Sequence, residues 1–85
     1  MDLEDNLNIK YLPINVGAEF PNLNYYNAES CGIVGISKDN FAGLTKIRFI
    51  DLDYNLITSL HHETFAGLTS LERIDLGKFH TELSQ

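Results

Sequence analysis

The chain has 85 residues, which is room for one domain, and its 44% apolar content fits a folded protein better than a disordered one. A net charge of −6, with only six scattered basic residues, argues against nucleic acid, whose phosphates require clustered Lys and Arg. One cysteine, Cys31, excludes an intrachain disulfide, and no apolar run approaches the roughly 20 residues that span a bilayer.

The first five residues, Met1-Asp2-Leu3-Glu4-Asp5, are acidic and lack the apolar stretch of a signal peptide. The expectation is therefore an intracellular chain, or a fragment or processed form of a longer one. An internal repeat governs the rest of the sequence. The pentapeptide Phe-Ala-Gly-Leu-Thr occurs at residues 41–45 and again at 65–69, an offset of 24. Residues 1–19 are expected to form an incomplete N-terminal repeat or cap. Ile9 and Leu12 stand 24 residues before Ile33 and Ile36, but Gly17 stands where Phe41 predicts a large side chain. Pro13 and Pro21 suit irregular connections better than helix.

Residues 20–43 form the first full unit, 44–67 the second, and 68–85 a truncated third with a loose end. Phe20, Leu44 and Leu68 open the three units. Leu23, Ile47 and Leu71 come next, then Tyr26, Ile50 and Ile74, then Ala28, Leu52 and Leu76. Cys31 aligns with Asn55, Ile33 with Ile57, Ile36 with Leu60, and Phe41 with Phe65. Apart from Asn55 every one of these positions is apolar, and neither helical periodicity nor strict alternation produces that spacing. After about Gly77 the pattern fails: Phe79, Thr81 and Ser84 replace the expected residues. No convincing polar cap is visible at either end, although terminal units of a stacked array usually need one.

The motif Ile47-x-x-Ile50-x-Leu52-x-x-Asn55-x-Ile57, repeated as Leu23-x-x-Tyr26-x-Ala28-x-x-Cys31-x-Ile33, resembles the leucine-rich repeat family. The resemblance covers about residues 9–77. It implies an α/β-type repeat solenoid: a right-handed horseshoe fragment with a short parallel sheet on the concave face and an irregular or 3-10 convex side. The 24-residue unit resembles the class found in extracellular receptors and secreted insect proteins. That class implies an extracellular or secreted protein-recognition module, receptor-like and with innate immunity among its settings; a cytoplasmic location is the alternative.

Alternation along each strand sends Ile50 and Leu52 inward and Phe49, Asp51 and Asp53 outward. Stacking then sets outward residues in three columns: Tyr25, Phe49, Arg73; Asn27, Asp51, Asp75; and Glu29, Asp53, Gly77. The first eight of these, without Gly77, are the candidate partner-binding residues. Tyr and Arg are common at binding hot spots, and the carboxylates favour a basic protein partner. A competing arrangement has Arg73 neutralise Asp51 and stack on Phe49 without a ligand. Tyr26 faces inward, where its hydroxyl must find a hydrogen bond or reach solvent.

Asn55 is expected to satisfy backbone groups at the turn after its strand, and Cys31 to fill the same place as a buried turn residue and not a reactive thiol. His61-His62-Glu63 reads as a solvated loop with diverging imidazoles, and Asp51, Asp53 and Asp75 lack a loop that would enclose calcium. No metal, cofactor or catalytic constellation is expected. The competing functional reading is a scaffold segment that self-associates through uncapped ends around Ile9, Leu12, Leu71, Leu76 and Phe79.

Overall fold

The computed structural model describes residues 1–6 and 8–77. A short helix, α1 (Val16–Glu19), precedes three strands: β1 (Tyr25–Asn27), β2 (Phe49–Asp51) and β3 (Arg73–Asp75). A single 3-10 turn, Lys38–Asn40, lies between β1 and β2. The strands form one parallel sheet in the order β1-β2-β3. Tyr25 pairs with Phe49 and Phe49 with Arg73, while Asn27 pairs with Asp51 and Asp51 with Asp75. The chain therefore coils once every 24 residues, as the sequence offset requires, and stacks like a solenoid.

The core lies behind the sheet. Tyr26, Ala28, Cys31, Ile33, Leu44, Ile47 and Ile50 are fully buried, with Phe41 and Leu52 all but so; Ile57, Leu60 and Leu68 follow closely. Each such aliphatic side chain contributes roughly 1.5–3 kcal/mol. Aromatic rings run through this core from unit to unit. Tyr26 meets Phe41 edge-on at 5.9 Å between centroids, and Phe41 meets Phe65 at 5.3 Å. Leu23, Ile36, Phe65, Leu71, Ile74 and Leu76 occupy their repeat positions but are only half-buried. Asn40 is buried on the side opposite the sheet, where its amide accepts from Ser37 N–H and donates to Leu12 C=O, tying one turn to the one before.

The structure departs from the sequence reading, or adds to it, at four places. Phe20 is not equivalent to the buried Leu44 and Leu68; it is 53% exposed. Val16 fills the interior in that region, and Phe20 caps α1 at a φ of −131°, turning its ring outward. Gly17, standing where Phe41 predicts a large side chain, holds a close backbone contact instead. It lies against the Ala42–Gly43 backbone so closely that a Cβ would sit 2.2 Å from Ala42 C=O. Tyr26 finds neither a hydrogen bond nor solvent: the residue is fully buried and its hydroxyl has no partner among the described residues.

The fourth place is the N-terminus, where the sequence reading of an incomplete repeat or cap named no strand pairing. Residues 1–5 lie along the free edge of β1 and cover it. Asn27 N–H donates to Met1 C=O, Leu3 N–H to Asn27 C=O and Asp5 N–H to Glu29 C=O. Asp2 bridges Asn27 in the parallel sense, an offset of 25 and not 24. Left-handed turns at Asp5, Ser30 and Tyr54 (φ 65°, 56° and 59°) end the three successive strand segments. The predicted loose end beyond Gly77, including Phe79, Thr81 and Ser84, lies outside the described residues.

Candidate functional site

The sheet has one face against the core and one turned away from it. The outward face carries the first two predicted columns in the predicted register, and the Glu29 and Asp53 carboxylates of the third lie close together. In the first, the Tyr25 and Phe49 rings stack at 5.1 Å between centroids with 25° between planes. The Arg73 guanidinium sits over the other side of the Phe49 ring, 5.3 Å from its centroid. This is close enough for attraction between the cation and the ring quadrupole. Arg73 also donates to Asp75 at 3.1 Å, so its carboxylate partner is Asp75 and not Asp51. Beside the column runs an open groove of about 410 Å³ lined by Asn24, Tyr25, Arg48, Phe49, Glu72 and Arg73. Arg48 and Glu72 form an ion pair across it, which holds the Glu72 carboxyl below its usual range, chiefly by hydrogen bonding.

The second column is less available than the sequence implies. Asn27 and Asp51 are buried, at 7% and 8% exposure. Each side chain turns back on its own backbone: Asn27 Oδ1 accepts from Glu29 N–H, and Asp51 Oδ1 accepts from Asp53 N–H. Such two-residue loops fix the end of a strand. Asp2 makes the same contact with Glu4 N–H, which marks it as the equivalent of Asn27 and Asp51. Asp2 is therefore the member of this column contributed by the N-terminal segment.

The third column gathers charge. Carboxylate oxygens of Glu29, Asp51 and Asp53 lie within 4.8 Å of one another. Glu4 joins them by accepting from Asn27 Nδ2 at 3.2 Å. Burial, then the charges of Asp51, Glu4, Asp53 and Asp5, raise the Glu29 carboxyl above its ordinary range. Burial, then Asp51 and Asp75, raise Asp53 likewise, with Arg73 opposing. Asp53 Oδ1 is enclosed and has no hydrogen-bond partner among the described residues. Sequence reasoning did not find Asp2 and Glu4. The available signal was the alternation Met1-x-Leu3, apolar at the two inward positions once the register is moved by one residue.

The turns behind the strands are held by side-chain hydrogen bonds to the backbone. Asn55 Oδ1 accepts from Cys31 N–H and Ile33 N–H, both at 3.0 Å, and its Nδ2 donates to Ala28 C=O and Leu52 C=O. Cys31 is fully buried, and its Sγ donates to Leu3 C=O at 2.8 Å. Burial raises its thiol pKa, disfavouring the thiolate that a nucleophile would need. His61 and His62 do not diverge: their rings stack at 4.5 Å, and both approach Glu63. All three are exposed, and His61 Nδ1 is engaged by Glu63 N–H. No helix among the described residues is long and apolar enough to cross a membrane.

Compared with known proteins, residues 21–78 match the family model described as leucine rich repeat. No curated protein and no solved structure matches the chain.

Proposed function

The chain belongs to the leucine-rich repeat family, and from that premise we propose that it binds a protein partner through the outward face of its sheet. Leucine-rich repeats commonly mediate protein–protein interaction. The observation that carries the reading is the Tyr25–Phe49 stack, with Arg73 at its end, on the face that the core does not use. Aromatic and Arg side chains held in register form the kind of rigid anchor that dominates binding energetics. Tyr25, Phe49 and Arg73 are the anchors. Glu29, Asp53 and Asp75 form their polar border, while Asn27 and Asp51 hold the strands' ends in place. The horseshoe curvature implied by the family would make this face concave. The repeat length supports an extracellular or secreted, receptor-like setting, and a cytoplasmic one is the alternative. A second reading, end-to-end association as a scaffold, draws on the half-buried Ile9, Leu71 and Leu76; Leu12, grouped with them in the sequence, is buried in the core.

To test the first reading, a partner is captured on the immobilised chain, identified, and titrated by calorimetry. Phe49→Ala and Tyr25→Ala are each expected to weaken binding about tenfold or more while leaving the circular dichroism spectrum unchanged. Equal affinity of both variants and the parent would show that another surface is used.

A further inference from the structure

The edge-covering segment does more than shield β1. It extends the outward face past β1 by one hydrogen-bonded segment and adds Asp2 and Glu4 to it. Asp2 falls in the row of Asn27, Asp51 and Asp75, and Glu4 reaches the row of Glu29 and Asp53. The result is an acidic strip flanking an aromatic shelf. Two cations border that face, and both are engaged: the Met1 ammonium donates to Tyr25 C=O at 2.8 Å, and Arg73, at the far end, pairs with Asp75 and lies over the Phe49 ring.

We infer that the partner presents an extended segment bearing lysine or arginine side chains, and that the N-terminal segment helps hold it. This rests on the sheet-face reading above and specifies its partner. Two features support it. The strip and a cationic segment are complementary in charge, which speeds encounter and fixes orientation. The exposed Tyr25 ring lies beside the carboxylates, where it can carry the aliphatic stem of a lysine while the ammonium reaches Glu4, Glu29 or Asp53. A protein segment fits this face better than a bound metal ion. The carboxylates line an open sheet rather than an enclosing loop, and Asp51 already accepts from Asp53 N–H.

The test uses the full chain and an octalysine peptide, with octaglutamate as the charge control, followed by fluorescence anisotropy at low salt. Octalysine is expected to bind and octaglutamate not to. The pair Asp2→Asn/Glu4→Gln should weaken octalysine about fivefold, and Glu29→Gln/Asp53→Asn about tenfold or more. Asp39→Asn/Glu63→Gln removes the same charge away from the sheet and should leave affinity within about twofold. Equal losses for all three pairs would mean attraction to bulk charge alone and would overturn the inference. So would calcium binding that depends on Glu29 and Asp53 while octalysine ignores them. If the captured partner needs Tyr25 and Phe49 but octalysine ignores the acidic strip, the sheet face stands and the basic partner falls. If the partner ignores Tyr25 and Phe49, the sheet-face reading itself fails.

Discussion

Replacing Asn55 by Ala is expected to cost about 3–5 kcal/mol, enough to leave much of the chain unfolded. One amide serves five backbone groups, with the Asp53 C=O the most distant at 3.3 Å. Its oxygen accepts from Cys31 and Ile33 N–H, and its nitrogen donates to Ala28 and Leu52 C=O. Cys31, Ile33, Ala28 and Leu52 are among the most buried residues of the chain, so water cannot readily replace the missing partner. A buried backbone group left without a hydrogen bond costs about 1–3 kcal/mol, and this substitution strands several at once. At about 0.05–0.15 kcal/mol per residue, 85 residues hold roughly 4–13 kcal/mol in total. Asn55→Asp keeps the acceptor but loses both donors, and it brings a charge into the turn. It is expected to fall between the parent and Asn55→Ala. Urea denaturation followed by circular dichroism measures all three; a loss below about 1 kcal/mol for Asn55→Ala would show that the amide is dispensable.

The second large effect is expected at Gly17. A methyl group there would meet Ala42 C=O at 2.2 Å and the Gly43 carbonyl carbon and Cα at 2.6 and 2.8 Å. All three atoms are backbone, so no side chain can rotate away. Two turns of the solenoid must separate, at a cost of about 3 kcal/mol or more. Gly67 supplies the contrast. Its φ of +82° favours glycine, but a Cβ there meets nothing within 4 Å. Gly67→Ala should therefore cost only about 1–2 kcal/mol, the penalty of the left-handed conformation. If the two substitutions proved equally costly, close backbone approach would not be the reason for Gly17.

The contrast between these two glycines shows what a repeat in sequence can and cannot convey. An offset of 24 correctly places Phe49 beside Tyr25 and Arg73, and Ile50 in the core, because stacked coils put equivalent residues side by side. It also identifies Asn55 as a turn residue. It misleads at Gly17 and Phe20, where α1 replaces the regular back of the coil and sets a different distance between neighbouring backbones. It conceals the N-terminal strand segment altogether. At a fixed offset of 24, Met1 and Leu3 align with the outward Tyr25 and Asn27. One added residue aligns them with Tyr26 and Ala28, where apolar side chains belong. The fate of the outward polar residues was not legible either. Asn27 and Asp51 are outward by alternation, yet short side chains so placed can bond their own backbone two residues on, and they do. Pairing of Arg73 with Asp75 over Asp51 depends on side-chain reach, which spacing alone does not encode.

Outward side chains align across the strands while their neighbours fill the core, and proton NMR with a soluble paramagnetic reagent tests this most directly. The expected result is through-space contact between the Tyr25 and Phe49 rings, strong broadening of Tyr25, and protected methyl signals from Ile50. A sheltered Tyr25 ring with no contact to Phe49, together with broadened Ile50 methyls, would contradict it.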